Sequence, residues 1–410
     1  MKQIQPPSAR PVSVHPILNL GFRIFFSAGA VFAMLTMALW VFVFMGKTNI
    51  DVGQINPFYW HAHEMLYGYT MAIIAGFLLT AVKTWTGIMM PHGYKLLGIF
   101  MLWMVARIAW MMVGLGVPNP SLWFALAGIC DTGFMLLMAY AIFRAVLAVK
   151  QYKQMGILSK IAFLTCGNLL CYVGIFSNNM SLVKIGDYLG LYLILGLVLT
   201  IGRRVIPFFI EKGISFDSPH KIEVKNNRWL DIASLLLFVA FMISDLFVTD
   251  KWFMSISAFA VGAVNIIRLL GWYHHGIWKK PLLWSLYLAF LGMCISFFLF
   301  AIQPHLGFNH SLAVHALALS GIGMMTVAMM ARVSLGHTGR SIHQPPKTVY
   351  AMFILMIIAF IFRVFLPLLD MEHYIIWIMI AQTAWIACFM LFCISYIPML
   401  AKPRTDGLFG

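Results

Sequence analysis

Apolar residues run along the chain in long blocks separated by short polar gaps. Crossing a hydrocarbon core as a helix takes roughly 20 residues, and twelve blocks meet that length. They are predicted near Phe22–Met45, His61–Val82, Tyr94–Leu115, Ser121–Val149, Leu158–Ser177, Leu182–Phe209, Trp229–Val248, Trp252–Tyr273, Leu282–Ile302, Ser311–Ala331, Tyr350–Leu368 and Tyr374–Leu400. The gaps hold turn and breaker residues: Asn56-Pro57, Pro91-His92-Gly93, Pro118-Asn119-Pro120, Gln303-Pro304 and Pro345-Pro346. Only closed hydrogen-bonded elements cross lipid. The short alternating segments of a β-barrel are missing. The predicted class is all-α: a polytopic transmembrane helical bundle of about twelve helices, forming a single integral membrane domain over residues 1–410.

Composition agrees. The 410 residues are 62% hydrophobic and 10% charged, against about 25% charged in soluble domains. Charge placement adds direction. Lys47, Lys184 and Lys251 fall on one side, and Arg107 and Arg363 fall inside blocks. Every other Lys and Arg, from Lys2 and Arg10 to Lys402 and Arg404, falls on the opposite side. Basic residues mark the cytoplasmic side, so both termini are predicted cytoplasmic, in a multi-pass protein of a bacterial inner membrane. The net charge of +15 is then topological and implies basic loops beside anionic lipid, with no nucleic acid. The first block runs past 20 residues without a small-residue cleavage pattern, so it reads as a span and not a cleaved signal. The six cysteines all lie in blocks, with no CxxC pair; they read as small apolar packing residues.

Chemistry must come from polar residues at membrane depth, where they are costly and usually functional. Trp60-His61-Ala62-His63-Glu64-Met65 opens the second block, and His315 stands near the outer start of the tenth. Histidines from two helices thus reach similar depth on the periplasmic side. Neutral imidazole is the usual protein ligand for haem iron and copper, so His61, His63 and His315 are candidate metal and cofactor ligands. His61 and Glu64 are three apart and share a face of a regular helix. His63 then points away, unless the first turn is irregular or it serves a different centre. Arg107 and Asp131 fall near mid-depth on consecutive blocks, as a structural ion pair would. Asp187, Asp245 and Arg363 fall toward the outer half with Glu64, as candidates to orient a ligand or handle protons. The inner side has dense polar segments at Gly202–Phe209 and Met330–Arg340. Their arginines either enforce topology or bind an anionic group.

Several stretches carry a family resemblance. They are Leu20-Gly21-Phe22-Arg23, Trp60–Met65, Ala75–Val82, Trp85-Thr86-Gly87, Gly202–Phe208, Arg268-Leu269-Leu270-Gly271-Trp272, His315-Ala316-Leu317 and Thr326–Arg340. In this order and spacing the sequence resembles the NnrS family, and the likeness spans nearly the whole chain. The resemblance implies haem and copper in a twelve-helix bacterial membrane protein of the response to nitric oxide and nitrosative stress. It carries His61, His63 and His315 as ligand candidates, Glu64 as a supporting or proton-handling candidate, and Arg332, His337 and Arg340 as inner-side cofactor candidates. Two positions depart from the pattern. Tyr287 stands where a His is expected, and Arg204 makes the sixth-block motif more basic.

Three function classes compete. The first is a haem–copper protein that senses or transforms nitric oxide, a small gaseous ligand, with an unnamed electron donor. The second is a twelve-helix secondary transporter, favoured by a long central inner loop at Glu211–Arg228 but not by any repeat between halves. The third is a divergent haem–copper reductase subunit, but the one adjacent His pair, His274-His275, lies at the inner end of the eighth block. No catalytic residue is assigned, and redox turnover stays open.

Overall fold

A computed structural model describes residues 15–47, 55–216 and 220–410. Lys2 and Arg10 lie outside the described residues. Among the described residues, twelve helices are long and apolar enough to cross a membrane, and there is no β-strand. They are α1 (Gly21–Phe44), α2 (Pro57–Thr86), α3 (Tyr94–Gly114), α4 (Pro120–Ala148), α5 (Tyr152–Phe176), α6 (Met180–Ser215), α7 (Arg228–Phe247), α8 (Lys251–Gly271), α9 (Pro281–Leu306), α10 (His310–His337), α11 (Thr348–Leu369) and α12 (Tyr374–Ala401). The protein is therefore a multi-pass membrane protein in a lipid bilayer. Large apolar side chains such as Leu122, Ile129, Leu136 and Phe163 stay exposed on α4 and α5, as they do where lipid is the solvent.

Each predicted block corresponds to one helix. The largest difference is at α6, which continues through Pro207 to Ser215. Glu211 and Lys212 read as a loop, but Glu211 Oε1 accepts the Val224 N–H at 3.1 Å and ties the next segment to the helix. The expected long central loop is correspondingly shorter. Gly87 ends α2 with a φ of +74°. That left-handed turn favours glycine, which accounts for part of the Trp85-Thr86-Gly87 motif.

Packing explains other motifs. Phe22 donates its N–H to Thr80 Oγ1 at 3.0 Å. A Cβ on Gly21 would sit 2.7 Å from the Leu79 side chain, so α1 and α2 approach closely only with glycine there. Arg23 Nη1 donates to the carbonyls of Leu400 and Lys402 at 2.6 and 2.7 Å. Those carbonyls end α12 and lack helical partners. The first helix thus caps the last, and residue 15 and the C-terminus lie at one end of the bundle, here the termini end.

α2, α9 and α10 are the most enclosed helices, and α7 is the most exposed. Regular winding fails at three places: Glu64–Thr70 in α2, Ala318–Met324 in α10 and Ile361–Phe365 in α11 are π-helical. Thr70 Oγ1 donates to the carbonyl five residues back, Met65, at 2.7 Å. Wide turns of this kind are rare and concentrate at functional sites. All three face the same cavity.

Candidate functional site

The cavity lies between α1, α2, α6, α10, α11 and α12, toward the end opposite the termini. It holds about 340 Å³, within the range of pockets that take drug-sized ligands. Its walls are mainly apolar and aromatic, including Trp40, Tyr69 and Trp385, with a few polar groups: His61, Asp187, His315, Arg363 and Gln382. His61 comes from the first turns of α2, just before its π stretch. His315 precedes the π stretch of α10, and Arg363 lies within that of α11. The cavity shares Thr70 and Ile322 with a narrower apolar cleft of about 90 Å³ that runs along α2, α6 and α10 toward the termini end.

His61 stacks on Trp40 with centroids 4.4 Å apart and planes 10° apart. Its ring nitrogens make no hydrogen bond among the described residues. His315 is held differently. Its Nδ1 lies 2.7 Å from the Ser311 carbonyl and 3.0 Å from Arg363 Nη2. One nitrogen cannot serve both partners. Either its N–H donates to Ser311, or its lone pair accepts from Arg363. In the first case Nε2 keeps its lone pair and is open to a metal; in the second Nε2 carries the proton. An acid group that drew Arg363 away would therefore favour the metal-binding tautomer. Arg363 Nη1, Asp187 Oδ2 and Gln382 Oε1 are buried without a partner among the described residues. Such orphans cost about 1–3 kcal/mol each, and three of them around one cavity fit a polar ligand.

His63, two residues from His61, belongs elsewhere. Its Nδ1 is 3.0 Å from Glu64 Oε1 and its Nε2 is 2.9 Å from Asn168 Oδ1. Arg107 bonds both Glu64 and Asp131. Tyr172 donates to Asp131 at 2.7 Å, and Trp110 Nε1 donates to Tyr172 Oη at 2.8 Å. His63, Glu64, Arg107 and Asp131 are all buried. Both ring nitrogens of His63 are therefore engaged. The expected Arg107–Asp131 pair is present, but it is half of a larger network. Glu64 does not line the cavity with His61; it turns to His63 and Arg107 instead.

The other predicted residues divide between the two ends. Asp187 reaches the cavity wall, where Cys171 Sγ lies 3.5 Å from its Oδ1. Asp245 stands aside, bonded to Tyr192 and 3.6 Å from His310 Nε2. Arg332, His337 and Arg340 lie at the termini end and do not join the cavity. His337 packs on Phe22 with centroids 5.6 Å apart, and the Arg340 N–H caps the Leu335 carbonyl at 2.9 Å. Tyr287 is buried, and its hydroxyl donates to the Leu269 carbonyl at 3.3 Å, away from His61 and His315. Arg204 donates to Gln154 at 3.2 Å on the surface. The cysteines are free.

Tyr69, Gln382 and Trp385 were not anticipated. Gln382 carried a signal, an amide inside an apolar block, whereas aromatic residues are too common here to stand out. Among the described residues, no three His, Cys, Asp or Glu side chains gather closely enough to hold a metal ion by themselves. The cavity therefore has two imidazoles, an arginine and aromatic walls. No curated protein matches the chain. Residues 16–404 match the family model described as NnrS protein, and the chain belongs to the NnrS family.

Proposed function

We propose that the cavity holds a haem and that the protein serves the response to nitric oxide. The observation that carries this reading is the pairing, in one cavity, of two imidazoles with open ring nitrogens and a buried arginine with an orphan donor. His61 and His315 are the residues that would hold the iron. Arg363, with Gln382 beside it, would bind an acidic substituent, and Trp40 and Trp385 would cover a flat macrocycle. When bound, haem supplies an iron centre that takes up small gaseous ligands. The chain's own part is to keep water out with apolar walls and to set the His315 tautomer through Ser311 and Arg363. The apolar cleft that meets the cavity at Thr70 and Ile322 suits the passage of an uncharged gas.

Copper is proposed on the family alone. The described residues offer it no three-ligand site, so His61 and His315 are the donors open to it as well. Basic residues cluster at the termini end, so that end is proposed cytoplasmic and the cavity periplasmic, in a bacterial inner membrane. An electron donor would be needed for turnover, and catalytic activity is not part of the proposal.

Metal analysis and absorption spectra of purified protein, with and without nitric oxide, test the reading. Haem is expected in the wild type, with a band that shifts on adding nitric oxide. His61→Ala and His315→Ala are expected to lose haem or change the band. Wild-type protein free of haem would overturn the proposal and favour a transporter. Unchanged spectra in both variants would overturn the ligand assignment.

A further inference from the structure

A second, smaller cavity lies at the termini end, where α9 begins and α10 finishes. It holds about 60 Å³ and is lined by Lys279, Lys280, Arg332, His343 and Tyr350 beside Pro281 and Leu282. One water needs about 10–15 Å³ by the same kind of measure, so a small tetrahedral anion has room. No carboxylate is among the described lining residues.

Arg332 is the telling group. It is 6% exposed. Its guanidinium lies over the Phe209 ring, 3.9 Å from the centroid. It makes no hydrogen bond or ion pair among the described residues. A buried guanidinium is costly unless its charge is matched and its donors are used. An aromatic face offsets part of the charge but accepts none of the in-plane N–H bonds. The other charged residues among the described lining, Lys279 and Lys280, carry the same sign. α9 starts at Pro281, so the positive end of its helix dipole meets this cavity, although the Leu283 and Trp284 N–H groups are already bonded to the Lys280 carbonyl. Lys280 Nζ is held at the rim, 3.4 Å from His343 Nδ1 and 5.5 Å from the centre of the Phe216 ring.

We propose that this cavity is a phosphate-group site, with Arg332 as its buried partner and Lys279 and Lys280 at its mouth. Arg332 supplies a planar fork of donors that suits phosphate oxygens. The site is separate from the histidine cavity, which lies at the other end of α10, and does not depend on haem. The phosphate can come from an anionic lipid headgroup or from solution.

Full-length protein, stripped of lipid in phosphate-free buffer, is titrated with phosphatidylglycerol, phosphatidylcholine or inorganic phosphate. Native mass spectrometry reads occupancy, and thermal unfolding reads stabilisation. Wild type is expected to bind and be stabilised. Arg332→Gln is expected to weaken binding about 10- to 100-fold, the loss of one or two charged hydrogen bonds, and Arg332→Lys by less. Lipid binding without inorganic phosphate binding assigns a headgroup; binding of both assigns a general phosphate site. Arg332→Gln removes an unmatched buried charge, so without phosphate it should fold at least as well as wild type. Should it misfold, the Lys279→Gln/Lys280→Gln double variant carries the test, with weakened binding expected. Absence of binding in the wild type, or equal binding in wild type and the folded variants, overturns the proposal.

Discussion

His61 and His63 sit two residues apart and show two ways of keeping a histidine inside a membrane protein. His63 is fully used: both ring nitrogens are bonded, and its neighbours Glu64, Arg107 and Asp131 close one bonded network. His61 rests on Trp40 with its nitrogens unpaired among the described residues, in a cavity where Arg363, Asp187 and Gln382 also keep unpaired atoms. A closed network contributes to one folded arrangement. An open one costs stability and is retained where a ligand completes it.

The contrast can be broken most directly at the arginines. Arg107→Met leaves Glu64 and Asp131 buried without their cation. It is expected to cost about 3–5 kcal/mol, seen as loss of folded protein or a large drop in the unfolding midpoint. Arg363→Met strands no paired carboxylate and is expected to unfold at or above the wild-type midpoint. Comparable losses in both would erase the distinction.

The histidines sharpen it. His63→Ala leaves Glu64 and Asn168 short of a partner and is expected to cost about 1–3 kcal/mol. His61→Ala and His315→Ala are expected to change stability of the ligand-free protein by less than about 1 kcal/mol, yet to abolish or alter the haem spectrum. Haem loss in His63→Ala protein that is still folded would move His63 into the site. Next in size is the coupling of Glu64 and Asp131 through Arg107. A double-mutant cycle with Glu64→Gln and Asp131→Asn is expected to show about 0.5–3 kcal/mol of interaction; simple additivity would mean that the network does not act as a unit.

The smallest expected effect lies in the C-terminal tail. Arg404 bonds both oxygens of Asp406, at 2.8 and 2.5 Å, which holds that carboxyl well below the usual carboxylate range. A depressed folded value means that the contact helps the tail dock above the unfolded value and is lost as pH falls through the folded one. Arg404 also bonds the His337 carbonyl at 3.1 Å. Asp406→Asn at neutral pH should speed hydrogen exchange after α12 while leaving the spans unchanged, and strong acid should lower the protection of the same amides relative to free peptide. Unaltered exchange would show that other contacts hold the tail.

The site was legible in part. His61, His315, Arg363 and Asp187 could be picked out because ionisable groups in apolar blocks are conspicuous, and helix direction put them at similar depth. Their grouping with Tyr69, Gln382 and Trp385 was not legible, because in spans apolar on every side the hydrophobic pattern does not say which face meets which neighbour. The π turns were hidden for another reason: they leave the composition of a span unchanged, and only backbone bonds such as those of Glu64–Thr70 reveal them.

What the sequence determined by itself is the set of twelve spans. Each is a local consequence of length and hydropathy, since a helix in lipid satisfies its backbone within the segment. Membership of the NnrS family was legible for a related reason, because its motifs are short and ordered along the chain. Tertiary structure decided which polar groups are paired and which are left open. That outcome depends on contacts between distant helices. Arg107 closes one network across three helices, whereas Arg363 stands beside His315 with a donor to spare.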